Sequence, residues 1–212
     1  MKSGANPLLS AVFSHLAKAG IHDGPNPAGG LHFRNAEVPR TRYVTDAELS
    51  RLIDAAKPRM RLLLRFAYLT GIRQGDILAM RLTACAEEGI DYIDSKTGKR
   101  HLIAWSDELR SLWKTATGLR SGNVPLFLAR DGGTYTASGF RASWRKVKLR
   151  AGLLDVCFHD LRRKSGSDAD DDAHAQALLG HADAKVTRRH YRAKLTPVQP
   201  IKPSGVRHRP KC

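Results

Sequence analysis

The chain has 212 residues, enough for one domain of ordinary size with some material left over. A hydrophobic fraction of 42% and a charged fraction of 26% sit near the average for globular proteins and exclude wholesale disorder. The outlier is charge: 36 Lys+Arg against 20 Asp+Glu give a formal net charge of +16, which points to a polyanionic partner, nucleic acid first and an anionic membrane surface second.

From Asn6 to Ala19 the apolar residues Leu8, Leu9, Val12, Phe13 and Leu16 recur at helical spacing, predicting one amphipathic helix ended near Gly20. The breaker cluster Gly24-Pro-Asn-Pro-Ala-Gly-Gly30 then reads as a linker that continues through Pro39, so residues 1–40 are assigned to a helix plus linker. The main domain is expected over 41–194. Thr45-Asp-Ala-Glu48 matches a capping box at the start of a helix through Leu52 and Ile53. After Pro58 the run Leu62, Leu63, Leu64, Phe66, Ala67, Tyr68 and Leu69 leaves little polar face, which predicts a helix buried on most sides and stopped by Gly71. Another short helix follows at once, placing Arg73 at a corner beside the core.

Between Gly89 and Trp105 the texture changes to Ile90, Tyr92, Ile93, then Lys96-Thr-Gly-Lys99, then His101-Leu-Ile-Ala-Trp105. That pattern predicts a β-hairpin with its turn near Thr97-Gly98. Helical patterning returns over 106–117, 136–151, 159–168 and 172–179. The carboxylates of Ser165-Gly-Ser-Asp-Ala-Asp-Asp-Asp172 lie close to Arg162 and either disturb its surroundings or cap the last of these helices, where negative charge at an N-terminus is favourable; capping is the preferred reading. Residues 195–212 form a basic, Pro-rich tail, expected to be extended unless it meets DNA or a neighbour. The fold class is α+β, mainly α, with one small antiparallel hairpin.

Cys85, Cys157 and Cys212 are widely spaced with no CxxC pair, suggesting neither a disulfide framework nor a zinc site. No apolar window approaches the length needed to span a bilayer, so a cytoplasmic, DNA-associated protein without membrane contact is expected. No Gly-rich nucleotide-cradling loop is evident, and neither cofactor nor metal is expected.

Three segments carry candidate chemistry: Thr70-Gly-Ile-Arg73-Gln-Gly-Asp76, His159-Asp-Leu-Arg162-Arg163, and Leu178-Leu-Gly-His181 followed by Arg189-His190-Tyr191. Each residue alone has a plainer explanation. Arg73 can be a solvated cation; His159 and Arg162 share a helix face and can pair with Asp160 or Asp155; His181 can cap a helix C-terminus; Tyr191 can be half-buried packing. Breaking a phosphodiester through a covalent intermediate, however, requires this combination of a nucleophile, donors to the non-bridging oxygens and a proton source. Arginine suits the donor role because its planar fork makes bidentate bonds to phosphate. A phenol with a pKa of about 10 needs nearby cations and a proton acceptor to become a nucleophile at neutral pH.

Together the segments resemble the tyrosine recombinases, or phage-type integrases, over approximately Arg42 to Lys194. The family's order is an arginine after Thr-Gly, a hairpin lysine, a His-x-x-Arg, a histidine after Leu-Gly, and a tyrosine about ten residues later. The resemblance implies a catalytic set of Arg73, Lys96, His159, Arg162, His181 and Tyr191. Arg73 and Arg162 would clamp the phosphate, His159 would move the phenol's proton, His181 would hydrogen-bond the phosphate and Tyr191 would attack it. Lys96 matches the family's placement of the general acid better than Lys99, and both stay candidates. Asp76 is read as orienting an active-site cation. Double-stranded DNA is the implied partner, engaged by a homotetramer on two duplexes, with accessory DNA-bending proteins as further candidates. Family members usually place a helical core-binding domain first. Here the Asn6–Ala19 helix resembles only its last piece, which leaves an inactive DNA-binding remnant as the alternative. A type IB topoisomerase is a third reading, opposed by the integrase-like context of His159 and His181.

Overall fold

The computed structural model describes residues 5–28, 40 and 42–181. The chain divides into two compact units, Met1–Arg40 and Thr41–Cys212. In the first, α1 spans Ala5–Lys18 and keeps Leu8, Leu9 and Val12 exposed. The stretch after it is tied back by Asn26, whose Nδ2 donates to the Ser10 carbonyl at 3.0 Å.

The second unit begins with α2 (Asp46–Ala55), opened by the expected capping box: the Thr45 hydroxyl accepts from Glu48 N while the Glu48 carboxylate accepts from Thr45 N. Next comes α3 (Pro58–Thr70), whose first position is the proline that tolerates a missing N–H there and whose end is Gly71 at φ 60°. Its residues Met60, Leu63, Leu64, Phe66, Ala67 and Thr70 are buried, and it packs against α2, α5 (Asp107–Thr117) and α7 (His159–Asp168). The core is therefore organised around α3, with Phe66 set edge-on to Phe127 at 5.2 Å between ring centroids.

Directly after Gly71 the chain enters α4 (Gln74–Ala79), with Arg73 as its extended N-terminal flank. The hairpin consists of β1 (Gly89–Ile93) and β2 (Arg100–Ala104), antiparallel with Ile90 opposite Ile103 and Ile93 opposite Arg100. Its turn occupies 94–99, closed by Asp94 N donating to the Lys99 carbonyl and Gly98 N to the Asp94 carbonyl. Among the described residues the remaining α-helices are α6 (Ala137–Ala151) and α8 (Asp172–Leu179), and the result is mainly α with one two-stranded sheet. Among the described residues no helix is long and apolar enough to cross a membrane.

The acidic stretch after Arg162 divides its labour. Asp171 caps α8 by accepting from His174 N at 2.7 Å. Asp168 instead turns inward to Lys164, a lysine with no exposed side-chain surface. The Lys164 ammonium also reaches Asp46 and the Tyr43 hydroxyl and lies over the rings of Tyr43 and Tyr68. Both tyrosine hydroxyls donate to Asp168, at 2.7 and 3.0 Å. This polar knot joins the segment before α2, α3 and α7 from the inside.

Candidate active site

Arg162 lies in α7 and is 2% exposed. Its Nη1 donates to the Gly71 carbonyl and its Nη2 to the Leu179 carbonyl, both at 2.5 Å. The guanidinium thus bridges the C-terminal ends of α3 and α8, where helix carbonyls lack intrahelical partners and attract cations. Gly71 is two residues before Arg73, so the same contact brings the two arginines to one place. At the end of α8, Gly180 takes φ 63° and turns the chain so that His181 Nε2 lies 3.5 Å from Arg162 Nη2. The Gln176 amide holds the His181 carbonyl at 3.0 Å.

Arg73 forms an ion pair with Asp94, a carboxylate that is 1% exposed. The other oxygen of Asp94 accepts from Lys96 N at 2.9 Å and Thr97 N at 3.0 Å. One buried carboxylate therefore sets both the orientation of Arg73 and the shape of the turn that presents Lys96 and Lys99. Both lysines are exposed on that turn. Asp76, also buried, accepts from Ser95 N at 3.2 Å and so holds the base of the same turn. The orienting carboxylate seen at Arg73 is thus Asp94, while the contact of Asp76 is to the hairpin backbone.

His159 opens α7, one turn before Arg162 and Arg163. Partial burial of its ring, followed by the positive charge of Arg162, Arg163 and Arg73, pushes it below the ordinary histidine range; Asp160 opposes the shift. The shift favours the neutral imidazole, the form able to accept a proton. His101, on β2, belongs to the same neighbourhood although its spacing in the sequence does not mark it. Its ring stacks on Tyr92 at 5.4 Å between centroids, and it fills the space where a Cβ on Gly180 would sit. Desolvation first, then Arg73, Arg162 and Lys99, lower its pKa as well. Five of the expected residues, Arg73, Lys96, His159, Arg162 and His181, are thus carried by segments that meet around the ends of α3, α7 and α8 and the hairpin turn. Tyr191 lies outside the described residues, as does the basic tail.

The model of the phage integrase family matches residues 42–196. The chain belongs to the phage integrase family. It is 28% identical over 163 residues to the shufflon-specific DNA recombinase of Escherichia coli, an alignment covering 74% of this chain and 40% of that protein. Among solved structures, a lambda integrase dimer bound to a COC′ core site superposes with a TM-score of 0.74 at 21% identity, covering 93% of this chain and 61% of that one. A lambda integrase tetramer bound to a Holliday junction gives 0.72 at 19% identity, covering 92% and 60%. The chain thus spans less than two thirds of each of these relatives, and the two structures bear on its fold.

Sequence spacing did not identify Asp94 or His101. The available signal for Asp94 was an aspartate at the start of Asp-Ser-Lys-Thr-Gly, a setting in which Asp side chains commonly bond turn amides two and three residues on.

Proposed function

We propose that this chain is the catalytic part of a site-specific DNA recombinase that cuts and rejoins one strand by transesterification. The observation that carries the reading is the convergence of Arg73 and Arg162. Two arginines, one tethered by Asp94 and the other by the carbonyls of Gly71 and Leu179, sit together with His159 nearby, its pKa pushed below the ordinary histidine range. Such a pair supplies fixed, permanently charged forks for the non-bridging oxygens of a phosphodiester.

In this reading the Tyr191 oxygen attacks the phosphorus, His159 takes the phenolic proton, and a 3′-phosphotyrosyl bond forms as the bond to the 5′-oxygen breaks. Lys96, or Lys99 on the same turn, donates the proton that leaves with the 5′-hydroxyl. His181 bonds a phosphate oxygen beside Arg162. Attack by a different 5′-hydroxyl reverses the step and exchanges strands, with the phosphoester energy conserved in the enzyme-bound bond and no cofactor consumed. The substrate is double-stranded DNA, and exchange between two duplexes calls for four copies of the chain, with DNA-bending proteins as accessory partners. Membership of the phage integrase family and the DNA-bound state of its structural relatives support this substrate.

The test uses the whole chain and a library of nicked duplexes of randomised sequence, since the nick lets the short fragment carrying the freed 5′-hydroxyl diffuse away and traps the covalent species. Protein attached to a 3′ end and resistant to denaturant, enriched for a common sequence, is the expected result. No adduct from the library, with duplex still bound, would favour a DNA-binding remnant. Relaxation of supercoils without sequence preference would favour the topoisomerase reading.

A further inference from the structure

Far from the arginine pair, five cations line one cavity of about 590 Å³: Lys57 and Arg59 at the start of α3, Arg130 in the loop before α6, and Lys146 and Arg150 on α6. No carboxylate lines it. Its floor is made by buried Met60 and Val147 and the half-buried ring of Tyr135. Among the described residues none of the five cations is in an ion pair, whereas Arg42, Arg65, Arg73, Arg100 and Lys164 each have at least one. Arg59 donates to the Ala129 carbonyl at 2.6 Å and Arg150 lies 3.5 Å from that of Ala55. Both acceptors are uncharged, so the full positive charge remains in the cavity. Lys57, the residue flanking α3, offers its first amides no side-chain acceptor, and the positive end of the helix adds to the same field.

Cations gathered on a concave surface with no counter-charge repel one another and are relieved when an anion enters. We propose that this cavity is a second site for DNA backbone on the catalytic unit, distinct from the one at Arg73 and Arg162. The two sites lie at opposite ends of α3, whose thirteen residues put them about 18 Å apart at 1.5 Å per residue. They therefore grip different stretches of backbone, roughly five nucleotides apart if both lie along one strand. Arg130, Lys146 and Arg150 supply charge-assisted donors, and the Tyr135 hydroxyl and Ser143, also in the lining, supply neutral ones. The inference rests on the DNA-binding part of the function proposed above.

Two measurements on the whole chain test it, with a fluorescent random-sequence 30-base-pair duplex as probe. Lys146→Glu/Arg150→Glu is compared with Arg110→Glu/Lys114→Glu on α5, which changes net charge equally. The expected result is a loss of at least about tenfold in affinity near 0.1 M salt and a salt slope shallower by about two for the cavity variant alone. Equal losses in both variants overturn the proposal, because net charge would then account for the effect. In the unmutated chain, lysine acylation read by mass spectrometry is expected to show Lys57 and Lys146 protected by the duplex. Protection of Lys96 and Lys99 without Lys57 and Lys146 overturns the cavity site while leaving the DNA reading intact. Failure to bind duplex at all overturns both.

Discussion

Replacing Lys164 by Met removes the centre of the polar knot that joins α7 to α3. The ammonium has no exposed side-chain surface and sits 2.8 Å from Asp168, whose side chain is 16% exposed. Taking away one member of a buried ion pair costs about 3–5 kcal/mol, because the other is left charged and poorly solvated. Asp168 would retain the Tyr43 and Tyr68 hydroxyls, and Asp46, 84% exposed, is compensated by water, so the lower end, about 3 kcal/mol, is expected. For a unit of this size that corresponds to a fall in Tm of roughly 6–12 °C. Urea titration at neutral pH gives the free energy directly. The double variant Lys164→Met/Asp168→Leu should recover part of the loss, since no carboxylate is left buried without its cation although the Tyr43 and Tyr68 hydroxyls lose their acceptor. A single variant within about 1 kcal/mol of the parent, or a double variant worse than the single, would refute the account of the knot. The sign with pH is also set. The bonds to Lys164 and the tyrosines outweigh desolvation and hold Asp168 below its ordinary value, so its stabilisation is present above the usual carboxylate pKa of about 3.9 and is lost as pH falls further.

Three other outcomes follow from the site's geometry. Asp94→Asn keeps an oxygen for Lys96 N and Thr97 N but removes the charge facing Arg73; adduct formation should fall about tenfold or more with duplex affinity nearly unchanged, and parallel losses in both would show that the residue only supports the fold. Gly180→Ala places a methyl 2.4 Å from His101 Cε1 at a backbone φ of 63°, so denaturant unfolding should show a loss of about 2 kcal/mol or more, and a neutral result would contradict the packing of α8 on the hairpin. Because burial and the arginines lower the pKa of His159, the acid limb of single-turnover adduct formation should lie below about 6.5; a limb above that value, or one unmoved in His159→Gln, would remove this residue as the proton acceptor.

The local parts of the fold were legible because their signals lie within a few residues of each other. Thr45 and Glu48 are three apart and form the box they predict, Gly71 ends α3 in the left-handed region that glycine tolerates, and the alternation on either side of Lys96-Thr-Gly-Lys99 gives a hairpin. The convergence of Arg73 with Arg162 was reachable only through resemblance, since 88 intervening residues carry no periodicity that joins them. Asp94 was missed for a related reason: its partner Arg73 lies 21 positions back in a different element. Lys164 is the reverse case. A lysine in His-Asp-Leu-Arg-Arg-Lys reads as solvated, and only the approach of Tyr43, Tyr68 and Asp168 from three segments makes its burial tolerable. The acidic run was legible in kind but not in detail: Asp171 caps α8 as expected, while Asp168, three residues earlier, faces the core.

In the proposed reaction Tyr191 becomes covalently joined to a DNA 3′ end at the phosphate held by Arg73 and Arg162. Its most direct measurement is mass spectrometry of the trapped adduct after digestion of both protein and DNA. The expected result is a nucleotide on the peptide containing Tyr191, and complete loss of the adduct in Tyr191→Phe with duplex binding retained. A nucleotide on any other residue, or an adduct formed by the phenylalanine variant, would contradict it.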